Sequence, residues 1–350
     1  MRKSRREQFA GLLERSGALS ALIRWRERAP VPWLSILTYH RFAGAAGPQP
    51  FDDGVIDVTA EEFERQVVDL KRHFSLIGTD ELCEFAQGAS LPKNPVAITF
   101  DDGYAGVYEH ALPILRRHGC KAIVFVATSF ITDRSTHWWD RVAYILKRSE
   151  RSHLLLEYPF PMHIDLSEPS NGIQRVLRLI KAHPGLDLHR LLEELAAGAG
   201  VPFTREMDRA FADELLMTWD QIRELHAAGI DVESHTRTHR VLGTLSPGAL
   251  ELELGGSRDD LRRELGRAPR ALAYPVGNPI ARDSRIRTAL ARAGYVVGLT
   301  NGTGPTPIGK LVDPFGIGRH TVGVGSSDAY RMTILAMPAL APRHRRPLEN

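Results

Sequence analysis

Two short runs in this 350-residue chain carry side chains of the types that hydrolytic chemistry needs. Ile98-Thr99-Phe100-Asp101-Asp102-Gly103-Tyr104 sets two adjacent carboxylates where the apolar run Val96 to Phe100 meets a glycine turn. Glu233-Ser234-His235-Thr236-Arg237-Thr238-His239 sets two imidazoles four residues apart, after the strand-like Ile230-Asp231-Val232. One carboxylate with two histidines would hold a divalent metal and leave a position open for water or substrate. The other carboxylate is then placed to act as a base on that water. The expected chemistry is metal-assisted hydrolysis.

Each run alone is weak. Asp and Gly suit turns, so an Asp-Asp-Gly string is more often a turn than a catalytic site. Phe51-Asp52-Asp53-Gly54 repeats the string after a Gly/Pro-rich loop and reads as such a turn. A histidine pair at this spacing is more often a solvated face than a ligand pair. Of the fourteen histidines, however, only His235 and His239 stand four apart. Both runs also follow strands, where parallel α/β folds gather their active sites.

The elements that must position these groups alternate. Trp33 to Tyr39, Val96 to Phe100, Lys121 to Ala127, Ile230 to Ser234, Ala271 to Tyr274 and Tyr295 to Thr300 read as strands, with Leu311 to Ile317 a weaker one. Helices are expected between them. One starts at Thr59-Ala60-Glu61-Glu62, which has the form of a capping box; others cover Gly106 to His118, Thr218 to Ala228, Pro247 to Leu265 and Asp283 to Ala293. Between about 129 and 216 the strand rhythm stops and four helices are expected, as an insertion on the main fold. Six or seven strands alternating with helices predict an α/β fold, a distorted (β/α) barrel. The core domain spans 33–322. Residues 1–32 hold a basic amphipathic helix ending at Pro30 and Pro32, and 323–350 a C-terminal helix and basic tail.

Bulk properties fit a soluble globular protein long enough for one barrel-sized domain. The net charge of +3 is unevenly spread: residues 1–29 carry eight Lys/Arg against three Glu, and Arg343, Arg345 and Arg346 cluster near the end. Basic ends of this kind can touch anionic lipid or polymer, but no nucleic-acid role follows. Cys83 and Cys120 form neither a disulfide framework nor a redox or zinc motif. The start lacks the apolar stretch of a signal peptide, and no run reaches the 18 apolar residues of a membrane span. A cytoplasmic location is expected, with peripheral membrane attachment through the N-terminal helix the minor alternative.

In order along the chain, these motifs resemble those of the polysaccharide deacetylase family, the NodB-homology fold of carbohydrate esterase family 4. Thr99 to Tyr104 resembles its first motif, His235 to His239 its second, and Ala273-Tyr274-Pro275-Val276-Gly277 its third. Leu37-Thr38-Tyr39-His40-Arg41 resembles the Tyr-His element of a circularly rearranged branch that includes exopolysaccharide N-deacetylases. The resemblance implies that Asp102, His235 and His239 bind a divalent metal, zinc first, with Co2+, Ni2+, Fe2+ and Mn2+ as alternatives. It implies that Asp101 is the base, that the Tyr104 backbone N–H helps hold the oxyanion, and that His40 protonates the leaving amine. His320 is the second candidate for the acid. Tyr274, Pro275 and Trp138 are candidate substrate contacts, although a core role for Trp138 is favoured two to one. The arginine that opens the third motif in many relatives is Ala273 here, so Arg270 or another basic residue is expected in its place. The implied function is removal of N-acetyl groups from an amino-sugar glycan or precursor. Rival readings on the same site are deformylation, O-acetyl ester hydrolysis, cleavage of a non-sugar amide, or glycan binding without turnover.

Overall fold

Six short parallel strands carry the apolar runs and end on one rim. In the computed structural model, which describes residues 5–28, 32–44, 49–277, 283–309 and 311–322, they are β1 (Trp33–Tyr39), β2 (Pro95–Phe100), β3 (Ile123–Val126), β4 (Asp231–Ser234), β5 (Ala271–Ala273) and β6 (Val297–Leu299). They lie in the order β6-β5-β4-β3-β2-β1. All of β2 and β3 is buried, as expected of parallel strands covered on both faces. The seventh strand on this path, β7 (Thr306–Pro307), runs antiparallel beside Trp33 and Leu34 of β1.

The sheet curls into a distorted barrel of the expected class, closed by a bent segment. The chain leaves β6 and returns as Ile317, which bridges in parallel to Leu299. It then crosses the gap and pairs in parallel with Leu37 and Thr38 of β1 as β8 (His320–Thr321). The predicted strand at Leu311 to Ile317 is therefore only one bridge, and the closing strand lies just beyond it. Arg319 sits in the crossing.

Registers align the functional ends. Tyr39 pairs with Phe100, Phe100 with Val124, Val126 with Ser234, and Ser234 with Leu272. His40, Asp101 and His235 are the residues directly after β1, β2 and β4, so a common rim brings together side chains that are far apart in sequence. Thr59 closes the predicted capping box with Glu62 on helix Ala60–His73.

Two predicted segments are built differently. The N-terminal helix is two helices, α1 (Arg5–Arg15) and α2 (Ala18–Arg28), broken at Ser16-Gly17, where Gly17 has φ +74°. The insertion contains helices Trp138–Arg148, Pro169–Ala182, Leu188–Ala199 and Arg205–Leu215 but also an antiparallel hairpin, His153–Leu156 against Met162–Asp165. Its burial alternates strictly, Leu154 and Leu156 in and His153 and Leu155 out. The C-terminal helix and tail expected over 323–350 lie outside the described residues. Among the described residues, no helix is long and apolar enough to cross a membrane.

Candidate active site

Asp101 and Asp102 leave β2 as its last hydrogen bond forms, from Asp101 N–H to the Tyr39 carbonyl at 2.8 Å. The chain then turns so sharply that Asp102 adopts φ +74°, in the left-handed region, before Gly103 at +84°. A non-glycine residue there costs on the order of 1–3 kcal/mol and persists only where its surroundings enforce it. Here Met217 N–H anchors the turn through the Gly103 carbonyl at 3.0 Å. The turn directs Asp102 across the rim at the histidine loop.

That loop is also held against its own preference, with Thr236 at φ +67° and His239 at +54°. Buried Glu253 clamps it, accepting from Arg237 N–H and Thr238 N–H at 2.9 Å each and from the Thr238 hydroxyl. On its other side the first turn of helix Thr128–Asp133 donates Thr128 N–H and Ser129 N–H to the carbonyls of Thr236 and Arg237. Glu253→Ala would take the acceptor from two part-buried N–H groups and should cost about 1–2 kcal/mol. A urea-unfolding midpoint that does not move would contradict this clamp.

Asp102 Oδ1 lies 3.4 Å from His235 Nε2 and 3.5 Å from His239 Nε2. His235 Nδ1 is 2.8 Å from the Ala273 carbonyl, which can only accept, so the proton sits on Nδ1 and the Nε2 lone pair faces Asp102. Asp102 Oδ1 is buried and has no hydrogen-bond donor. An orphaned carboxylate oxygen is costly, and a cation between it and two imidazole nitrogens removes that cost. One donor atom from each of the three residues lies within 4.8 Å of the others. The donor set fits a divalent metal.

Asp101 makes a different set of contacts. Its carboxylate receives both arms of the Arg319 guanidinium, Nη1 to Oδ1 at 2.8 Å and Nη2 to Oδ2 at 2.7 Å. Both residues are buried, and Arg319 also donates to the Thr300 carbonyl at 3.0 Å and the Thr99 hydroxyl at 3.2 Å. Burial alone would raise the Asp101 pKa, but the Arg319 guanidinium outweighs it and holds it below the usual carboxylate value. Arg319 thus occupies the role sought for Arg270. Arg270 itself is out on the surface, paired with Asp80. Nothing in the sequence near Arg319 matched a motif; the signal missed was its position beside His320.

His40 follows β1 and touches Asp57 twice. Its backbone N–H donates to Asp57 Oδ2 at 2.5 Å, and its Nδ1 lies 3.0 Å from the same oxygen. Burial disfavours the imidazolium, but Asp57, with Asp102 and Asp101 behind it, wins, and the pKa is pushed up to about 9. Asp57 was not singled out in the sequence, although Ile56-Asp57-Val58 puts a lone carboxylate inside an apolar strand. Lys181 on the insertion adds a cation near Asp52 and Asp102, its own pKa pushed down by burial.

The Tyr104 hydroxyl donates to Asp140 Oδ2 at 2.7 Å and accepts from Trp139 Nε1 at 2.8 Å. Asp140, fully buried, also accepts from Asp52 N–H at 2.9 Å, so the insertion, the Phe51-Asp52-Asp53-Gly54 turn and the catalytic turn share one carboxylate. Trp138 takes the core place favoured for it, while Tyr274, Pro275 and His320 are placed otherwise than proposed. Trp138 is buried, its Nε1 directed to the His239 carbonyl at 3.4 Å, and Trp139 packs 4.5 Å from the His239 ring. They back the ligand loop and offer no stacking face. Tyr274 and Pro275 are buried too, the Tyr274 hydroxyl donating to the Phe315 carbonyl at 2.9 Å. His320 pairs two residues before the rim, with Leu37; burial and then Arg26 lower its pKa to about 4. It is poorly placed to deliver a proton at the rim.

A parallel barrel with an Asp-His-His set that could hold a metal on its C-terminal rim, a second carboxylate beside it and a histidine–carboxylate pair on the same rim is an arrangement suited to metal-dependent hydrolysis. The polysaccharide deacetylase family model matches residues 88–154 and 189–298, and the chain belongs to that family. The stretch left between, 155–188, includes the second hairpin strand and helix Pro169–Ala182. A poly-beta-1,6-N-acetyl-D-glucosamine N-deacetylase of Staphylococcus aureus is 31% identical over 87 residues, 25% of this chain and 30% of the relative. One of Staphylococcus epidermidis is 32% identical over 81 residues, 23% and 28% of the two chains. The match thus spans under a third of these curated relatives. Among solved structures, the Streptococcus pyogenes deacetylase PplD in complex with acetate superposes with a TM-score of 0.56 at 19% identity, covering 87% of this chain and 99% of that one. IcaB from Ammonifex degensii gives 0.52 at 18% identity, covering 88% and 98%. These likenesses establish the fold.

Proposed function

We infer that the protein removes N-acetyl groups from an amino-sugar glycan or a glycan precursor, releasing acetate and leaving a free amine. The observation that carries this reading is the division of labour between adjacent carboxylates: Asp102 faces two histidines while Asp101 is held apart by Arg319. Family membership and the printed activity of the staphylococcal relatives support the acyl group and the sugar. Zinc is the metal we favour. Ligands about 2.1 Å from a tetrahedral ion stand about 3.4 Å apart, close to both carboxylate–imidazole distances given above.

Bound by Asp102, His235 and His239, the ion would supply Lewis-acid polarisation of the amide carbonyl and of the attacking water. The protein's own groups do the rest. Asp101, ionised throughout the neutral range, takes the proton from that water, and Arg319 fixes its orientation. The Tyr104 N–H donates to the oxygen that gains charge. His40, cationic below about pH 9, gives its proton to the departing nitrogen, because an amine leaves poorly as an anion. Asp57 keeps that imidazole charged and aimed.

Arg319→Gln isolates Asp101 in its buried site with its principal counter-charge removed. Burial then dominates, the Asp101 pKa rises, and the acidic limb of the rate profile should move up by about one unit or more. A depressed carboxylate stabilises the fold above its unfolded pKa and loses that contribution as pH falls through its folded value. The variant should also lose about 3 kcal/mol at neutral pH. An unshifted acidic limb would show that Arg319 does not set the base.

The acyl group and bond are tested by comparing acetyl and formyl amides of glucosamine oligomers with O-acetyl esters. Preference for the acetyl amide supports the reading; faster turnover of the formyl amide or the ester would replace it with one of those activities.

A further inference from the structure

The N-terminal helix pair lies outside the catalytic machinery, and its surface is unlike the rest of the chain. Over Arg5–Arg28 six basic and three acidic residues give a net charge of +3, the whole of the chain's +3, so the remaining residues sum to zero. Three of the eight large hydrophobic residues exposed among the described residues are also here: Phe9 (52% exposed), Leu12 (56%) and Trp25 (61%).

Their spacing makes two outward faces. On α2, Leu19, Ile23 and Arg26 point inward at intervals of four and three, and Arg26 stacks over Phe74 at 4.6 Å. Arg24, Trp25 and Arg28 occupy the opposite, exposed face. On α1, Ala10 is buried, while Phe9, Leu12 and Arg15 recur every three residues on the exposed side. Each face therefore sets a large apolar or aromatic side chain beside arginine. A protein partner needs shape as well, but a bilayer needs only this: apolar groups to enter the acyl boundary, Trp at the headgroup level, and cations for anionic headgroups.

We propose that the helix pair α1–α2 is a docking surface for an anionic phospholipid bilayer, with Phe9, Leu12 and Trp25 inserted and Arg15, Arg24 and Arg28 on the headgroups. Its placement suits such an enzyme. Arg26 accepts a hydrogen bond at its carbonyl from Asn94, just before β2 begins, so the end of α2 sits at the strand ends opposite the catalytic rim. A docked molecule turns that rim away from the bilayer.

The test is flotation of the full-length protein with vesicles of phosphatidylcholine containing about 30% phosphatidylglycerol, and with phosphatidylcholine alone. The protein should float with the anionic vesicles, and high salt should release most of it. Trp25→Ala and the pair Arg24→Glu with Arg28→Glu should each lower the partition coefficient about tenfold or more. Thermal melts should coincide with the parent protein, because these side chains face out. Absence of flotation, equal flotation with neutral vesicles, or unchanged flotation of all variants would overturn the proposal. So would equally strong retention on a soluble polyanion that Trp25→Ala leaves intact, which would assign the arginines to a polymer.

Discussion

Asp101→Asn should lower kcat by on the order of 10³-fold while leaving metal content unchanged. The two halves of that expectation come from separate geometry. Asn keeps the volume and one acceptor for Arg319, but it cannot take a proton from water. The proposed ligand atoms belong to Asp102, His235 and His239, and Asp101 Oδ2 stands 3.7 Å from His235 Nε2, farther than Asp102 Oδ1 at 3.4 Å. A protein that only binds glycan at this site would tolerate the change. Equal loss of metal and rate would mean that Asp101 is a ligand and that the division between the two carboxylates is wrong. Acetate release and metal analysis on the same preparation read both halves.

The second large effect is expected at His40. Removing the acid in His40→Ala should cost about 10²-fold or more on an N-acetyl sugar. The loss should be far smaller on an activated ester such as an aryl acetate, whose leaving group needs no proton. A merely structural role would slow both substrates alike. The pH profile carries a second signature. The His40 pKa is raised to about 9, so the active cation is lost as pH rises through that value. The same shift stabilises the fold fully below the unfolded histidine value and fades through the same alkaline window. Asp57→Asn withdraws the principal counter-charge and should move the alkaline limb of the rate downward. A limb that stays in place would point to another acid.

The fold was legible where one strand carries one pattern. Val96 to Phe100 and Ile123 to Val126 are apolar throughout because both faces are covered, and such runs stand out in any reading. The metal-ligand candidates were legible because each motif is local: His239 follows His235 by four positions, and Asp102 sits in a turn spelled by its neighbours. The arginine that holds Asp101 was not. It is 218 residues away and reaches the site only because the closing segment crosses the barrel there. No spacing rule links the two. The His40–Asp57 pair was hidden for a similar reason, since it depends on a register between two short strands, Arg41–Phe42 and Ile56–Val58. The hairpin in the insertion carries only four residues per strand, too few to stand out among helices. The tryptophans show the converse: a motif can be found and its direction still be open, because only packing decides that Trp138 and Trp139 face the ligand loop.

The central claim is metal-assisted amide hydrolysis at the Asp102–His235–His239 set. Its most direct test is acetate release from N-acetylglucosamine oligomers by the protein stripped of metal and then reloaded with zinc, beside His235→Ala treated identically. The parent should fall silent on stripping and recover on reloading, and the variant should neither bind zinc tightly nor recover. Undiminished release from the stripped parent, or full activity of the variant, would contradict it.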